Sequence, residues 1–167
     1  MELRLILAAA LTLGCTMCGK SLAGAARRRT ELLAGLAAGV RSLRLRMISL
    51  FEPVRQGLSM SDCPLLVQLS GVMEGGGSAA QAWARIKRKA RPPSAVACLT
   101  DQDRRILDAL FDKLGESGRS AQDMLLDGAA RALETQAADS RREAERAEKL
   151  YVTLGLLIGL ILALIVA

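Results

Sequence analysis

Apolar residues follow two regimes along this chain. At both ends they run on without interruption, and between the ends they return at every third or fourth position, the period of an amphipathic helix. Leu5 to Gly19 is uncharged over 15 residues and the continuation to Ala26 adds only Lys20, while Leu150 to Ala167 carries no charge over 18 residues. Runs of this length cross a bilayer as helices, so the pattern predicts membrane spans over 4–26 and 150–167. Lys20 lies near the end of its run, where a long side chain can reach the head groups. A signal peptide is the other reading of the first run, because Ala23-Gly24-Ala25 fits the small-x-small cleavage pattern. The weak cationic start, with Arg4 offset by Glu2, and the basic Arg27-Arg28-Arg29 after the presumed cut favour an uncleaved span.

Between the runs, two seams stand out. Leu33, Leu36, Val40, Leu43, Met47 and Leu50 alternate steps of three and four along a helix expected over Thr30–Phe51, which Pro53 ends. Leu126, Ala130, Leu133, Ala137, Ser140, Ala144, Ala147 and Tyr151 do the same along a last helix that runs into the second apolar stretch. The two seams are expected to pair antiparallel as a stem, with Leu36, Val40 and Leu43 against the Ala130–Ala144 face. Shorter helices fit between them. Asp62 reads as an N-cap before Cys63 and Pro64, and that helix stops at Gly75-Gly76-Gly77. Ser78 with Gln81 and Thr100 with Asp103 read as capping boxes, Pro92-Pro93 closes the helix bearing Trp83, and Gly115 stands where a C′ glycine belongs. Ser120 with Asp123 opens the last helix. The fold class is all-α, a small helical bundle of residues 27–149 between N-terminal and C-terminal transmembrane helices, with long stem helices continuing out of the membrane.

Composition sharpens this picture. With 27 Ala and 30 Leu, two helix formers supply most of the apolar positions, and the β-branched and aromatic residues a sheet needs are few. There is no His, which removes His-based triads, imidazole metal ligands and imidazole pH switching. The net charge is +6. Its cations flank the inner ends of both spans, Arg27, Arg28, Arg29 and Arg41 after the first and Arg141, Arg142, Arg146 and Lys149 before the second, which places the middle region in the cytoplasm. Cys15 and Cys18 form C-x-x-C inside an apolar helix with no second pair and read as small packing residues, and Cys63 and Cys98 as buried inert thiols.

Candidate chemistry is sparse. Gly75 to Ser78 is glycine-rich before a helix but lacks the phosphate-loop pattern, so it reads as a turn. Asp101, Asp103, Asp108 and Asp112 fit a helix first turn and a solvated face better than an acid/base site. The densest charge is Arg85, Lys87, Arg88 and Lys89 with Arg91. It reads as a solvated face or as a contact for an acidic protein or anionic lipid. Too few aromatics accompany it to stack bases, which argues against nucleic acid. No enzyme activity, cofactor or metal is expected. In the spans, Gly155 and Gly159 form G-x-x-x-G, and Ala10, Gly14 and Cys18 keep the same spacing, as helix packing in membranes favours.

The second half of the chain resembles the stage III sporulation protein AB family of endospore-forming bacteria. The resemblance is carried by Leu99-Thr100-Asp101-Gln102-Asp103, Ile106-Leu107, Leu114-Gly115, Ser117 and Gln122, then Lys149-Leu150-Tyr151, Leu154-Gly155 and Gly159, with Gly77 to Trp83 similar to the family's helix start. Leu43-Arg44-Leu45-Arg46 departs from it, since the family is usually acidic there, and Gly118 stands where Asp is usual. The resemblance implies a domain similar to the cytoplasmic domain of type II secretion platform protein F. It also implies a place in the mother-cell membrane facing the forespore, in a channel that includes a secretion-type ATPase and other channel proteins, and it allows a homo-oligomer. A membrane-anchored adaptor outside any secretion machine, or a secreted protein after signal cleavage, are the alternatives.

Overall fold

The computed structural model describes residues 27–91 and 94–166, with side chains at most positions from 151 onward outside the description. Helix α1 spans 27–49. It is followed by α2 (Val54–Ser59), α3 (Pro64–Val72), a 3-10 turn at Met73–Gly75, α4 (Ala79–Lys89), a 3-10 turn at Ala95–Cys98, α5 (Asp101–Lys113) and α6 (Arg119–Val166). No strand occurs among the described residues. Arg28–Ala138 forms one compact unit, and the features described below lie in it except where α6 is followed beyond residue 138.

The α1 seam is buried over its first four positions, Leu33, Leu36, Val40 and Leu43 having no exposed surface, whereas Met47 is only partly buried and Leu50, just past the helix end, is 59% exposed. On α6, Leu126, Ala130 and Leu133 are buried in the same core and Ala137 packs against it; Ser140 and Ala144 on the same line are buried too. The two helices run antiparallel, because Arg29 reaches Gln136 Oε1 while Arg44, further along α1, reaches Asp123 and Asp127 near the start of α6. Arg41 also pairs with Glu134. The short helices close the other side of α1. An added Cβ at Gly39 would lie 2.5 Å from Leu66 Cδ1 and 2.7 Å from Ser61 Oγ, so the missing side chain lets the α3 segment approach the α1 backbone.

Several boundaries differ from the sequence reading for local reasons. Helix α1 stops at 49 rather than Phe51, since Phe51 takes φ 57° and the N–H groups of Leu50 and Glu52 both donate to the Arg46 carbonyl at 3.1 Å. Pro53, expected only as a stop, is also the N-cap of the additional helix α2. Asp62 does not cap α3. Cys63 occupies the N-cap with Pro64 in the first turn, and its N–H donates to Ser61 Oγ at 3.2 Å. Ser78 accepts from the Gln81 N–H, one half of a capping box, whereas Thr100 and Asp103 form the full reciprocal box. Ser120 lies inside the first turn of α6, which opens at Arg119. Cys63 is buried as expected, but Cys98 is only half-buried.

Among the described residues no helix is long and apolar enough to cross a membrane. The span expected over 4–26, with Gly14, Cys15 and Cys18, lies outside them. The one expected over 150–167 falls on the last part of α6, where the backbone is helical to Val166 and the side-chain surroundings of Gly155 and Gly159 are outside the description.

Candidate interaction surface

Helix α4 carries the charge cluster, and its geometry divides the cluster in two. Ala79, Ala82, Trp83 and Ile86 form the buried stripe. The Trp83 ring meets Phe111 of α5 with centroids 5.5 Å apart, and its indole N–H donates to Asp108 Oδ1 at 2.5 Å. Lys87, one turn further, donates to the same carboxylate at 2.8 and 3.0 Å. Burial pushes the Asp108 carboxyl upward, but hydrogen bonds from Lys87 and Trp83 and the charges of Lys87 and Arg104 outweigh it and hold the carboxyl below its ordinary value. Lys87, although exposed, therefore ties α4 to α5 rather than standing free on the solvated face. Arg85, Arg88 and Lys89 are exposed and enter no ion pair among the described residues, and Arg91 beyond the helix is exposed as well.

The four aspartates of α5 are not brought together. Asp101 is exposed and pairs with Arg104 within the helix, Asp108 serves α4, and Asp112 is exposed. Asp103 is wholly buried and bound by Arg29, a partner 74 positions away that no local pattern in the sequence indicates. Burial acts to raise the Asp103 carboxyl, and the hydrogen bonds from Arg29 and Thr100 with the Arg29 charge bring it below the ordinary carboxylate value.

A second polar knot joins α5 to α6. Gln122 is buried, and its amide nitrogen donates to the Lys113 carbonyl at 2.8 Å and to Ser117 Oγ at 2.7 Å, while its oxygen accepts the Gly115 N–H at 3.2 Å. Gly115 has φ 86°, which a glycine adopts at no steric cost. Thus Thr100 and Asp103, and then Gly115, Ser117 and Gln122, positions that carry the family resemblance, act as helix terminators and crosslinks. The departing Arg44 and Arg46 are likewise structural: Arg44 grips Asp123 at 2.6 Å and Asp127 at 2.7 Å, and Arg46 reaches Glu52.

These features define an all-α protein whose helices are fastened by polar knots and whose α4 carries three exposed cations outside any ion pair among the described residues. The chain matches the family model for stage III sporulation protein AB over residues 4–167, and it belongs to that family. No curated protein and no solved structure matches it.

Proposed function

We propose that this chain is a non-enzymatic, multi-pass component of the mother-cell membrane facing the forespore, acting in a sporulation-specific, secretion-like channel as the assembly platform for a cytoplasmic ATPase. In this reading 4–26 and 150–167 are the membrane anchors, with Gly14, Gly155 and Gly159 in their helix-packing faces, and 27–149 is the cytoplasmic domain. The uncharged terminal runs and the cations flanking them support the topology. The observation that carries the contact surface is the separation within α4: Lys87 is held by Asp108, whereas Arg85, Arg88 and Lys89 stay exposed without a counter-ion among the described residues. Cations left unneutralised on one edge attract an acidic face and speed its encounter.

The test is a charge reversal that spares Lys87. Full-length protein carrying R85E, R88E and K89E, held in nanodiscs of neutral lipid, should keep the emission of the buried Trp83 and lose at least tenfold in affinity for the ATPase at low salt. Wild-type binding should weaken as salt rises. Undiminished binding by the triple variant would make the edge an ordinary solvated face.

A further inference from the structure

Beside the basic edge, α4 borders a cleft of about 190 Å³. Leu32 of α1, Leu65 of α3, Ile86 of α4 and Val96 wall it with apolar surface, and Lys89 and Ser94 line it with polar groups. Its size is informative, since a cavity of about 150 Å³ lined by aliphatic side chains accommodates a benzene ring. Its polar content is informative as well. Ser94 Oγ is buried and has no hydrogen-bond partner, an arrangement that desolvates a hydroxyl without compensation. A mostly apolar hollow with a few converging polar groups is the usual form of a binding site.

Charge decides what the cleft would take. Lys89 stands in its wall, and Arg85, four residues earlier on the helix, lies on the same edge by helical spacing. Both are exposed, as is Arg91 just past the helix end. A basic occupant would meet repulsion there, and a neutral one would leave the cations unpaired. We propose that the cleft anchors an acidic segment of the partner that meets the basic edge, taking one large apolar side chain between Leu32, Leu65 and Ile86 while flanking carboxylates pair with Lys89 and Arg85. The inference rests on the reading of the edge given above and adds an apolar, shape-dependent component to a contact otherwise made of charge alone.

The experiment separates the two components. Full-length protein in neutral nanodiscs is titrated at low salt with a labelled, end-blocked peptide of three glutamates, one phenylalanine and three glutamates, and with the same peptide carrying alanine at its centre. The phenylalanine peptide should bind at least tenfold more tightly. Ala90→Phe, at the cleft wall, and Gln68→Phe, on its exposed rim, place a ring over the cleft. Each should abolish that advantage while leaving the weaker, salt-sensitive binding of the alanine peptide in place, with Trp83 emission reporting that the fold is kept. Equal binding of the two acidic peptides overturns the cleft as an anchor and leaves the charged edge standing. Failure of both to bind counts against the edge and the cleft together. Equally tight binding of a lysine-flanked phenylalanine peptide overturns the acidic occupant.

Discussion

Arg29 and Asp103 form a two-pronged ion pair at the start of α1 and the start of α5. Arg29 donates through Nε to Oδ2 at 2.8 Å and through Nη2 to Oδ1 at 3.1 Å, and the same carboxylate accepts the Thr100 N–H at 2.9 Å. Two parallel charge-assisted bonds fix direction as well as distance. The pair therefore sets where α5 begins relative to α1, and through Gln136, which Arg29 also reaches, relative to α6.

Removing the carboxylate leaves a guanidinium only 13% exposed with its principal partner gone and deletes one half of the α5 capping box, the bond from the Thr100 N–H. Asp103→Ala should cost on the order of 3 kcal/mol, the range expected when one member of a buried pair is deleted. Chemical unfolding of the full chain, followed by Trp83 emission, measures it. A loss below about 0.5 kcal/mol would show that the pair is solvated in solution.

The same site predicts an acid dependence with a defined sign. Asp103 is held below its ordinary value of 3.8 in the folded chain, so the folded state favours the charged form. Its contribution to stability is complete above that ordinary value and is lost as the pH falls through it toward the lower folded value. Unfolding midpoints measured between neutral pH and pH about 3 should fall less steeply for Asp103→Asn than for the wild type. Parallel curves would assign the acid sensitivity to other carboxylates.

Two glycines should respond with opposite signs. At Gly39 a Cβ would press on Leu66 and Ser61, with the Cys63 Cβ only 3.3 Å away, whereas at Gly128, exposed on α6, nothing lies within 4 Å. Gly39→Val should destabilise by about 1–3 kcal/mol through overpacking. Gly128→Ala should stabilise by about 0.5–1 kcal/mol, the ordinary gain of alanine over glycine in an exposed helix. Thermal unfolding of the two variants side by side reads both, and a stabilised Gly39 variant would mean that the α1 to α3 approach is looser than described.

What the sequence made legible follows from how far each signal reaches. Leu33 to Leu43 and Leu126 to Leu133 were readable because helical periodicity is local and the core is built from those seams. Thr100 with Asp103 was readable as a cap because its two halves are three residues apart. The Arg29 contact with Asp103, the Lys87 contact with Asp108 and the role of Gln122 in the α5 to α6 turn were not readable, since each depends on which helices meet. The charge cluster was visible as a count, but only the fold separates Lys87, which faces α5, from Arg85, Arg88 and Lys89. Helix α2 was missed because six residues following a proline carry too little periodicity to register.

That separation within α4 has a stability consequence. Lys87 holds a carboxylate that also receives the Trp83 indole, whereas Arg88 is exposed without an ion pair among the described residues. Lys87→Ala should therefore lower stability by about 1 kcal/mol, a modest figure because the pair is well exposed to water. Arg88→Ala should stay within about 0.5 kcal/mol of the wild type. Equal effects at the two positions would mean that the Asp108 contact is not maintained in solution.

Phe51 makes the most specific demand on the backbone. It is the non-glycine residue with positive φ among those described, at 57°, and it is 73% exposed. The left-handed region costs a residue with a Cβ about 1–2 kcal/mol relative to glycine, and what the ring gains in return is the Arg119 guanidinium stacked 4.1 Å from its centroid. At an exposed site that contact contributes about 0.5–1 kcal/mol. Phe51→Ala loses the stacking and keeps the strain, so it should be destabilised. Phe51→Gly loses the stacking and relieves the strain, although the freer unfolded chain offsets part of the gain. The glycine variant should therefore be the more stable of the two by about 1 kcal/mol, and close to the wild type. Chemical unfolding of the two variants measures the difference, and an alanine variant as stable as the glycine variant would show that the backbone at this position relaxes out of the left-handed region.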